Sequence, residues 1–279
     1  MATSPQSSFS HYIALFIDVM GQKAVLSKEH NALEPNCLEK RETKELFDAS
    51  VGKIELLTTT MKDFFDSRST EQFPGFGIRT QFFSDCMLFY FPIKITTNLI
   101  LKEKQLLNIF SLFYATSMSQ LTFLAEETPL RGGIDLGLGA LTSHAGLYGP
   151  INYRVDCLEK RVADYPRVAV GTTLKRYIES EEPYFPILCK NLLDMCTGPD
   201  GSSMIDFMGP LISSELGETR TKIGKYAPHE LIAAAFHFIR FQRDVFQKQA
   251  TTTPNEKTSQ RLYDKYRNLY DYFYRSHVQ

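Results

Sequence analysis

Hydrophobic residues follow two different periods along the first half of the chain. An apolar run over 12–18 has the branched and aromatic residues of a central strand, and residues 78–92 alternate before becoming continuously apolar, which predicts two buried strands. Helical spacing of apolar residues predicts helices over 42–66 and 102–126. This order of elements indicates an α/β or α+β domain.

The pattern continues beyond the second helix with a strand that is rich in glycine. Residues 130–141 read as this strand and have hairpin character. Tyr148-Gly149-Pro150 opens a helix that runs to about Asp164, because proline is well tolerated at the start of a helix. A short strand is predicted over 167–170.

The periodicity weakens beyond Gly171 and returns near the end of the chain. Residues 197–203 are predicted as a turn before a short strand over 204–207. Two long helices, about 228–249 and 255–276, close the chain. They are predicted to form an extension over 208–279, after a main domain over 12–207 and a flexible N-terminal segment over 1–11.

Composition limits the classes of function. With 279 residues, 43% of them hydrophobic, the chain has ample material for a core, and a net charge of −1 does not favour a nucleic-acid or membrane partner. No apolar run reaches the roughly 20 residues of a membrane helix, and the N-terminus lacks a signal pattern. Five cysteines without C-x-x-C spacing favour reduced thiols, so we expect a cytoplasmic protein.

Two acidic residues stand at the edges of apolar segments. Asp18 follows the run YIALFI, and Asp85 lies in the phrase FFSDCMLFY. Each alone is typical of a turn or a helix cap. Burial of an unpaired carboxylate costs several kcal/mol. The pair is therefore better explained if both acids share a divalent cation, for which their hard oxygen ligands suit Mg²⁺ or Mn²⁺.

Four phrases in order carry a resemblance to a known family. They are YIALFIDVMG, QFFSDCMLFYF, LRGGIDLGLG and YGPINYRVDCLEKRVADYPRVAVG. Over about 12–171 the chain resembles class III nucleotidyl cyclases, and in particular the pyrimidine nucleotide cyclases of the bacterial Pycsar antiphage system. The resemblance implies a ferredoxin-like α+β catalytic domain, with a mixed and mainly antiparallel sheet and flanking helices, followed by the C-terminal helical extension.

The resemblance also implies a two-metal site. Asp18 and Asp85 would hold two divalent ions, Mn²⁺ or Mg²⁺, with the backbone carbonyl of Val19 as a further ligand. The backbone amides after Val19 would lie near the substrate phosphates. These amides belong to Met20, Gly21 and Gln22. The family works as a head-to-tail pair, so a homodimer with two sites is implied.

Several positions depart from the pattern of the purine cyclases. Gln81 stands where the base-reading lysine is usual, and Gly146 where the adenine-reading aspartate is usual. Tyr153 and Cys157 occupy the positions of the helix asparagine and arginine that stabilise the transition state. The loss of the lysine and the aspartate fits a pyrimidine base, which offers a different hydrogen-bonding edge.

Other residues are candidates for contact with the substrate. Arg131 could bind a pyrimidine carbonyl or a phosphate with its planar fork, and Gly132 and Gly133 after it would leave room for a ligand. Alternatively, Arg131 forms an ion pair with Asp135. Arg154 and Arg161 lie on the same helix and could replace the missing helix arginine. Further candidates for the substrate site are Gln81, and Arg79 and Phe82, which could shape the base pocket.

The expected activity is therefore conversion of UTP to 3′,5′-cyclic UMP and pyrophosphate. The product would act as a second messenger in antiphage defence, read by a separate effector protein. A cytidylate cyclase and a purine nucleotide cyclase are alternatives within the same fold. A catalytically inactive nucleotide sensor is the alternative without chemistry.

Overall fold

A computed structural model describes seven stretches of the chain. They are 9–20, 41–67, 78–83, 86–142, 146–209, 228–252 and 257–278. Within them lie six strands and seven helices.

The six strands form one mixed sheet. In chain order they are β1 (Phe9–Val19), β2 (Arg79–Phe83), β3 (Cys86–Ile93), β4 (Leu130–Thr142), β5 (Gly146–Tyr148) and β6 (Val168–Val170). The spatial order is β2-β3-β1-β4-β5, all antiparallel, and β6 pairs with β4 in parallel. Residues 9–11, which the sequence assigned to a flexible N-terminus, belong instead to β1.

The helices flank this sheet and continue past it. They are α1 (Arg41–Ser67), α2 (Leu99–Ala125), α3 (Pro150–Arg161), α4 (Thr172–Glu181), α5 (Pro186–Met195), α6 (Pro228–Thr252) and α7 (Lys257–Val278). None of the described helices is long and apolar enough to cross a membrane.

The path through the first four strands is that of a ferredoxin-like domain. Strand, helix, hairpin, helix and strand follow one another, and β4-β1-β3-β2 is the resulting spatial order. The predicted fold class is confirmed, including the helices that close the chain. The division of the chain at residue 208 stays a prediction.

Each face of the sheet has its own apolar core. Because side chains alternate along a strand, Ile13, Leu15 and Ile17 lie on one face of β1, where they join the core formed with α1 and α2. Tyr12 and Ala14 lie on the opposite face, in a smaller cluster with residues of β3, β5 and α3. Asp18 follows this alternation, so it belongs to the α3 face.

The two closing helices pack on α2 and on each other. A second large core joins residues of α2, α6 and α7, among them Met118, Phe238 and Tyr272. Consequently α2 has the sheet core on one side and this cluster on the other, which explains why almost all of its residues from Gln105 to Leu124 are buried. The aromatic residues Tyr266, Tyr272 and Phe273 of α7 therefore pack the closing helices.

Two predictions for the region after Gly171 were incomplete. The helices α4 and α5 were missed, because neither has a side-chain cap at its own N-cap residue that the sequence would reveal. The strand predicted over 204–207 is wrong. Only Met204 forms an isolated bridge there, with Ala169 of β6.

Candidate active site

Asp18 is held between two neighbouring strands near the end of β1. Its register partner on β3 is Cys86, and its register partner on β4 is Arg131. Directly paired residues of an antiparallel sheet point to the same face. The three side chains therefore stand in a row across the sheet, and that of Asp18 is 20% exposed.

Both carboxylate oxygens of Asp18 are engaged by this row. Arg131 Nη2 lies 3.2 Å from Asp18 Oδ2, and Cys86 Sγ lies 3.6 Å from Asp18 Oδ1. The same Arg131 nitrogen also contacts Glu159 Oε1 of α3. One guanidinium thus bridges two carboxylates from different elements. The three charged groups together carry a formal charge of −1.

Glu159 is the more deeply buried of the two carboxylates, with only 2% of its side chain exposed. Burial raises its pKa; the positive charge of Arg131 opposes this shift, and the negative charge of Asp18 adds to it. Glu159 is not among the residues that the sequence pattern singled out. The available signal was its spacing, because Ile151, Val155 and Glu159 follow one another at intervals of four residues on the buried side of α3.

The glycines beside Arg131 serve packing, so the predicted space for a ligand beside them is wrong. A Cβ atom on Gly133 would overlap the Val155 carbonyl oxygen of α3 and would lie 3.0 Å from the Glu159 nitrogen. A Cβ atom on Gly132 would overlap the Phe16 carbonyl oxygen of β1. The close approach of α3 to β4 at Gly133 brings Glu159 within reach of Arg131.

Asp135 forms a second ion pair, but with Arg154 and not with Arg131. Arg154 Nη2 lies 2.6 Å from Asp135 Oδ2 and also donates to Thr173 Oγ1. Asp135 Oδ1 accepts a hydrogen bond of 2.9 Å from the Leu174 amide in the first turn of α4. The buried Asp135 thus supplies, from β4, the cap that α4 lacks in its own sequence. A role of Arg154 in substrate binding stays a prediction.

The backbone after Asp18 is described only as far as Met20. Val19 is buried and pairs with Leu130 of β4. The Met20 amide donates to the Pro129 carbonyl at 3.0 Å, which corrects the expectation that it faces a phosphate. Gly21 and Gln22 lie outside the described residues. Asp85 also lies outside them.

Two positions that the resemblance assigns to base reading lie beside each other. The Gln81 side chain of β2 accepts a hydrogen bond of 3.0 Å from the Leu147 amide of β5. A Cβ atom on Gly146 would lie 2.8 Å from Gln81 Cδ, and Gly146 has a φ of +74°. Gln81 and Gly146 therefore form one uncharged junction between β2 and β5.

The remaining substrate candidates are spread over the surface. Phe82 is exposed and pairs with Met87, so it lies on the sheet face opposite to Asp18. Arg79 is exposed on β2. Its positive charge partly opposes the rise that burial causes in the pKa of Tyr90. Arg161 is exposed at the end of α3.

The helix positions where the family carries asparagine and arginine form a contact of their own. A hydrogen bond with Cys157 is the main cause of a raised pKa at Tyr153, and Arg161 opposes this shift. Tyr153 is exposed, whereas Cys157 is partly buried. Neither side chain carries the fixed positive charge that an arginine would supply at this place.

The C-terminal helix contributes a charge near the cluster that the sequence did not indicate. Burial lowers the pKa of Lys265 on α7, and the positive charges of Arg131 and Arg261 lower it further. Asp164 and Glu159 act in the opposite direction. The extension therefore reaches the neighbourhood of Arg131 and is not a separate appendage.

No family model and no curated protein matches the chain. Among solved structures it is similar to the adenylyl cyclase CyaB from P. aeruginosa, with 13% identity and a TM-score of 0.39 over 63% of this chain and 83% of that chain. It is also similar to the guanylyl cyclase domain of the RhoGC fusion protein from Blastocladiella emersonii, with 12% identity and a TM-score of 0.39 over 62% of this chain and 88% of that chain. A third similar structure is a bacterial light-regulated adenylyl cyclase, with 15% identity and a TM-score of 0.38 over 62% of this chain and 46% of that chain. At these identities and TM-scores, neither activity nor substrate transfers from those proteins to this chain.

Proposed function

We propose that the chain is a nucleotide cyclase, in which Asp18 and Asp85 hold divalent ions that bind a nucleoside triphosphate. One observation carries this proposal. The pairing of β1 with β3 places Asp18 directly across from Cys86, which follows Asp85 in the sequence. The two acidic phrases thus belong to adjacent strands, as a shared metal site requires.

The donors fit a hard divalent cation. Among the described residues no group of three or more histidine, cysteine, aspartate and glutamate side chains forms a metal site. Asp18 is instead a partly exposed carboxylate at a strand end, which suits Mg²⁺ or Mn²⁺ when substrate phosphates complete the coordination. Asp18, Asp85 and the Val19 carbonyl are the proposed protein ligands for two such ions.

The proposed reaction is an internal displacement at the α-phosphate. The 3′-hydroxyl releases its proton to solvent, and its oxygen forms a bond to the α-phosphorus. The bond between the α-phosphorus and the oxygen that bridges to the β-phosphate breaks, and pyrophosphate leaves. Bound divalent ions would lower the pKa of the 3′-hydroxyl and stabilise the charge of the transition state. Asp18 and Asp85 would orient the phosphates through this site, and Arg131 would add positive charge beside it.

We further propose a pyrimidine nucleotide as the substrate, with UTP favoured over CTP. The contact between Gln81 and the Gly146–Leu147 backbone supports this choice, because the places of the purine-reading lysine and aspartate together form an uncharged junction. Cyclic UMP would then be the product that a separate effector protein reads in antiphage defence. A purine nucleotide cyclase with an altered base site stays an alternative.

A homodimer is part of the proposal. Phe83 is register partner to Cys86, so it lies on the same sheet face as Asp18, and it is 42% exposed. Tyr148 and Tyr153, next to and on α3, are also exposed. Exposed aromatic residues around a partly exposed site such as that of Asp18 are typical of an interface that a second copy would cover.

Two observations favour a nucleotide sensor without catalysis as the second candidate. Arg131 already forms an ion pair with Asp18, and Tyr153 and Cys157 stand in place of the transition-state residues of the helix. A sensor would bind nucleotide at this face without converting it.

An assay with separate nucleotides distinguishes these functions. The full chain is incubated with Mn²⁺ and with ATP, GTP, CTP or UTP alone, and the products are separated by chromatography. We expect cyclic UMP from UTP, and no product from the Asp18→Asn variant. Binding of a nucleotide without conversion of any of the four would favour the sensor and overturn the cyclase proposal.

A further inference from the structure

Arg131 pairs with Oδ2 of Asp18, one of the two carboxylate oxygens at which a divalent cation would bind. Its Nη2 atom is shared between Asp18 Oδ2, at 3.2 Å, and Glu159 Oε1. Two positive charges at one carboxylate repel each other, and this repulsion is large at a partly buried position. A cation on Asp18 and Arg131 in its present position therefore compete with each other.

We propose that Arg131 is a built-in counter-ion of Asp18, which competes with the divalent cation, and that Glu159 is the positioning residue onto which Arg131 withdraws when the cation binds. This inference rests on the metal-binding role of Asp18 in the proposed function. It adds that the chain supplies its own cation for the metal-free state and a second carboxylate that receives this cation afterwards.

Burial decides which of the two carboxylates keeps Arg131. The Glu159 side chain is 2% exposed and that of Asp18 is 20% exposed. A buried charge that loses its partner destabilises a protein strongly, whereas a carboxylate with access to solvent loses less. Arg131 can therefore leave Asp18 for a metal ion, but it cannot leave Glu159 without isolating a buried charge.

The guanidinium also has an unused donor for this movement. Arg131 Nε is buried and has no hydrogen-bond partner among the described residues. A small rotation onto Glu159 would let Nε and Nη2 bind the two carboxylate oxygens side by side, which is the stronger geometry for such a pair. Arg131 is thus bound more weakly when Nη2 is shared between Asp18 and Glu159 than when Nε and Nη2 both bind Glu159.

Binding of Mn²⁺ without nucleotide tests the competition. The affinity of the full chain is measured by electron paramagnetic resonance of free Mn²⁺, with the folded state checked by thermal melting. The double variant Arg131→Gln, Glu159→Gln removes one charge of each sign, so the cluster keeps its formal charge of −1. We expect it to bind Mn²⁺ about tenfold more tightly than the parent, because the competing cation is gone.

The single variant Glu159→Gln gives the opposite expectation. Of its two carboxylate partners, Arg131 then keeps only Asp18. Mn²⁺ must therefore displace Arg131 from Asp18 without a second carboxylate to receive it, and the affinity of the variant for Mn²⁺ should fall about tenfold. This variant also decides the question if the double variant does not fold. A matched control is Asp156→Asn with Lys160→Gln, which removes a surface ion pair of the same helix at constant charge. We expect parent affinity from this control.

The results separate the inference from the function on which it rests. If Asp18→Asn binds Mn²⁺ as well as the parent, the proposed metal site is wrong. If Asp18→Asn loses Mn²⁺ but the double variant and Glu159→Gln both bind like the parent, the metal site stands and the competition by Arg131 is overturned.

Discussion

Arg131 and Asp18 are register partners on β4 and β1, and their side chains form a 3.2 Å ion pair at the end of the sheet. The pair is completed from outside the sheet by Glu159 of α3. The carboxylate that the sequence singles out is therefore part of a charge cluster with a fixed positive member. This relationship determines what substitutions in the site are expected to do.

Substitution of either acidic residue should remove activity and leave the protein folded. Asp18→Asn keeps the shape of the side chain, and Arg131 retains Glu159, so no buried charge becomes isolated. Loss of a metal ligand should reduce cyclic nucleotide formation by at least about a hundredfold, and Asp85→Asn should do the same. Product formation and thermal melting are measured together.

The control for these variants is Asp164→Asn. Asp164 carries an exposed carboxylate that pairs with Arg167 and is not one of the proposed metal ligands. It should keep parent activity. Turnover of Asp18→Asn at a rate near that of the parent would show that Asp18 does not hold a required ion.

Substitution of Gly133 by alanine should destabilise the fold. The added Cβ would overlap the α3 backbone at Val155, which cannot move away cheaply, so we expect a loss of about 3 kcal/mol in the free energy of unfolding. Gly52→Ala in α1 is the matched control, because nothing lies within 4 Å of its Cβ position. It should stabilise the helix by about 0.5–1 kcal/mol. Equal stability of the two variants in urea unfolding would contradict the packing role of Gly133.

Removal of divalent ions should leave the fold intact. Arg131 balances Asp18 in the absence of a metal, so a chelator should shift the melting temperature by less than about 2 °C. Excess Mn²⁺ should raise the melting temperature, since it binds the folded state only. Asp18→Asn should lose this rise. A large fall in melting temperature with chelator alone would point to a structural metal instead.

Stability should fall in alkaline solution through a buried thiol. Burial raises the pKa of Cys189 from 9.0 to about 11. Between these values the unfolded chain loses the thiol proton and the folded chain keeps it, so the free energy of unfolding decreases as the pH rises from 9 to 11. Below pH 9 this contribution is fully present. When urea unfolding is measured across this pH range, the free energy of unfolding should decline more steeply with pH for the parent than for Cys189→Ala. Equal slopes for the two proteins would show that the Cys189 thiol does not cause the decline.

The hydrophobic pattern of the chain predicts most of the elements that carry the site. The alternating and continuous apolar runs identified the strands β1 to β4, and the spacing of apolar residues identified α1, α2, α6 and α7, because these patterns follow from which side of an element faces the core. The placement of Asp18 at the end of a buried strand was also a sequence property. The departures at Gln81 and Gly146 could likewise be read from the sequence alone.

Which charged groups meet depends on how the elements pack against one another. Glu159 lies 28 positions after Arg131 in the sequence, and their contact exists because α3 approaches β4 closely at Gly133. In the same way, Asp135 of β4 caps α4, although β4 does not directly precede this helix in the chain. Capping rules consider only residues next to a helix in the sequence, so they did not predict α4. Partners of a buried charge are selected by the packing of whole elements, since desolvation makes an unpaired charge costly wherever the backbone brings it. A single sequence states where the charges are, and packing decides which of them form pairs.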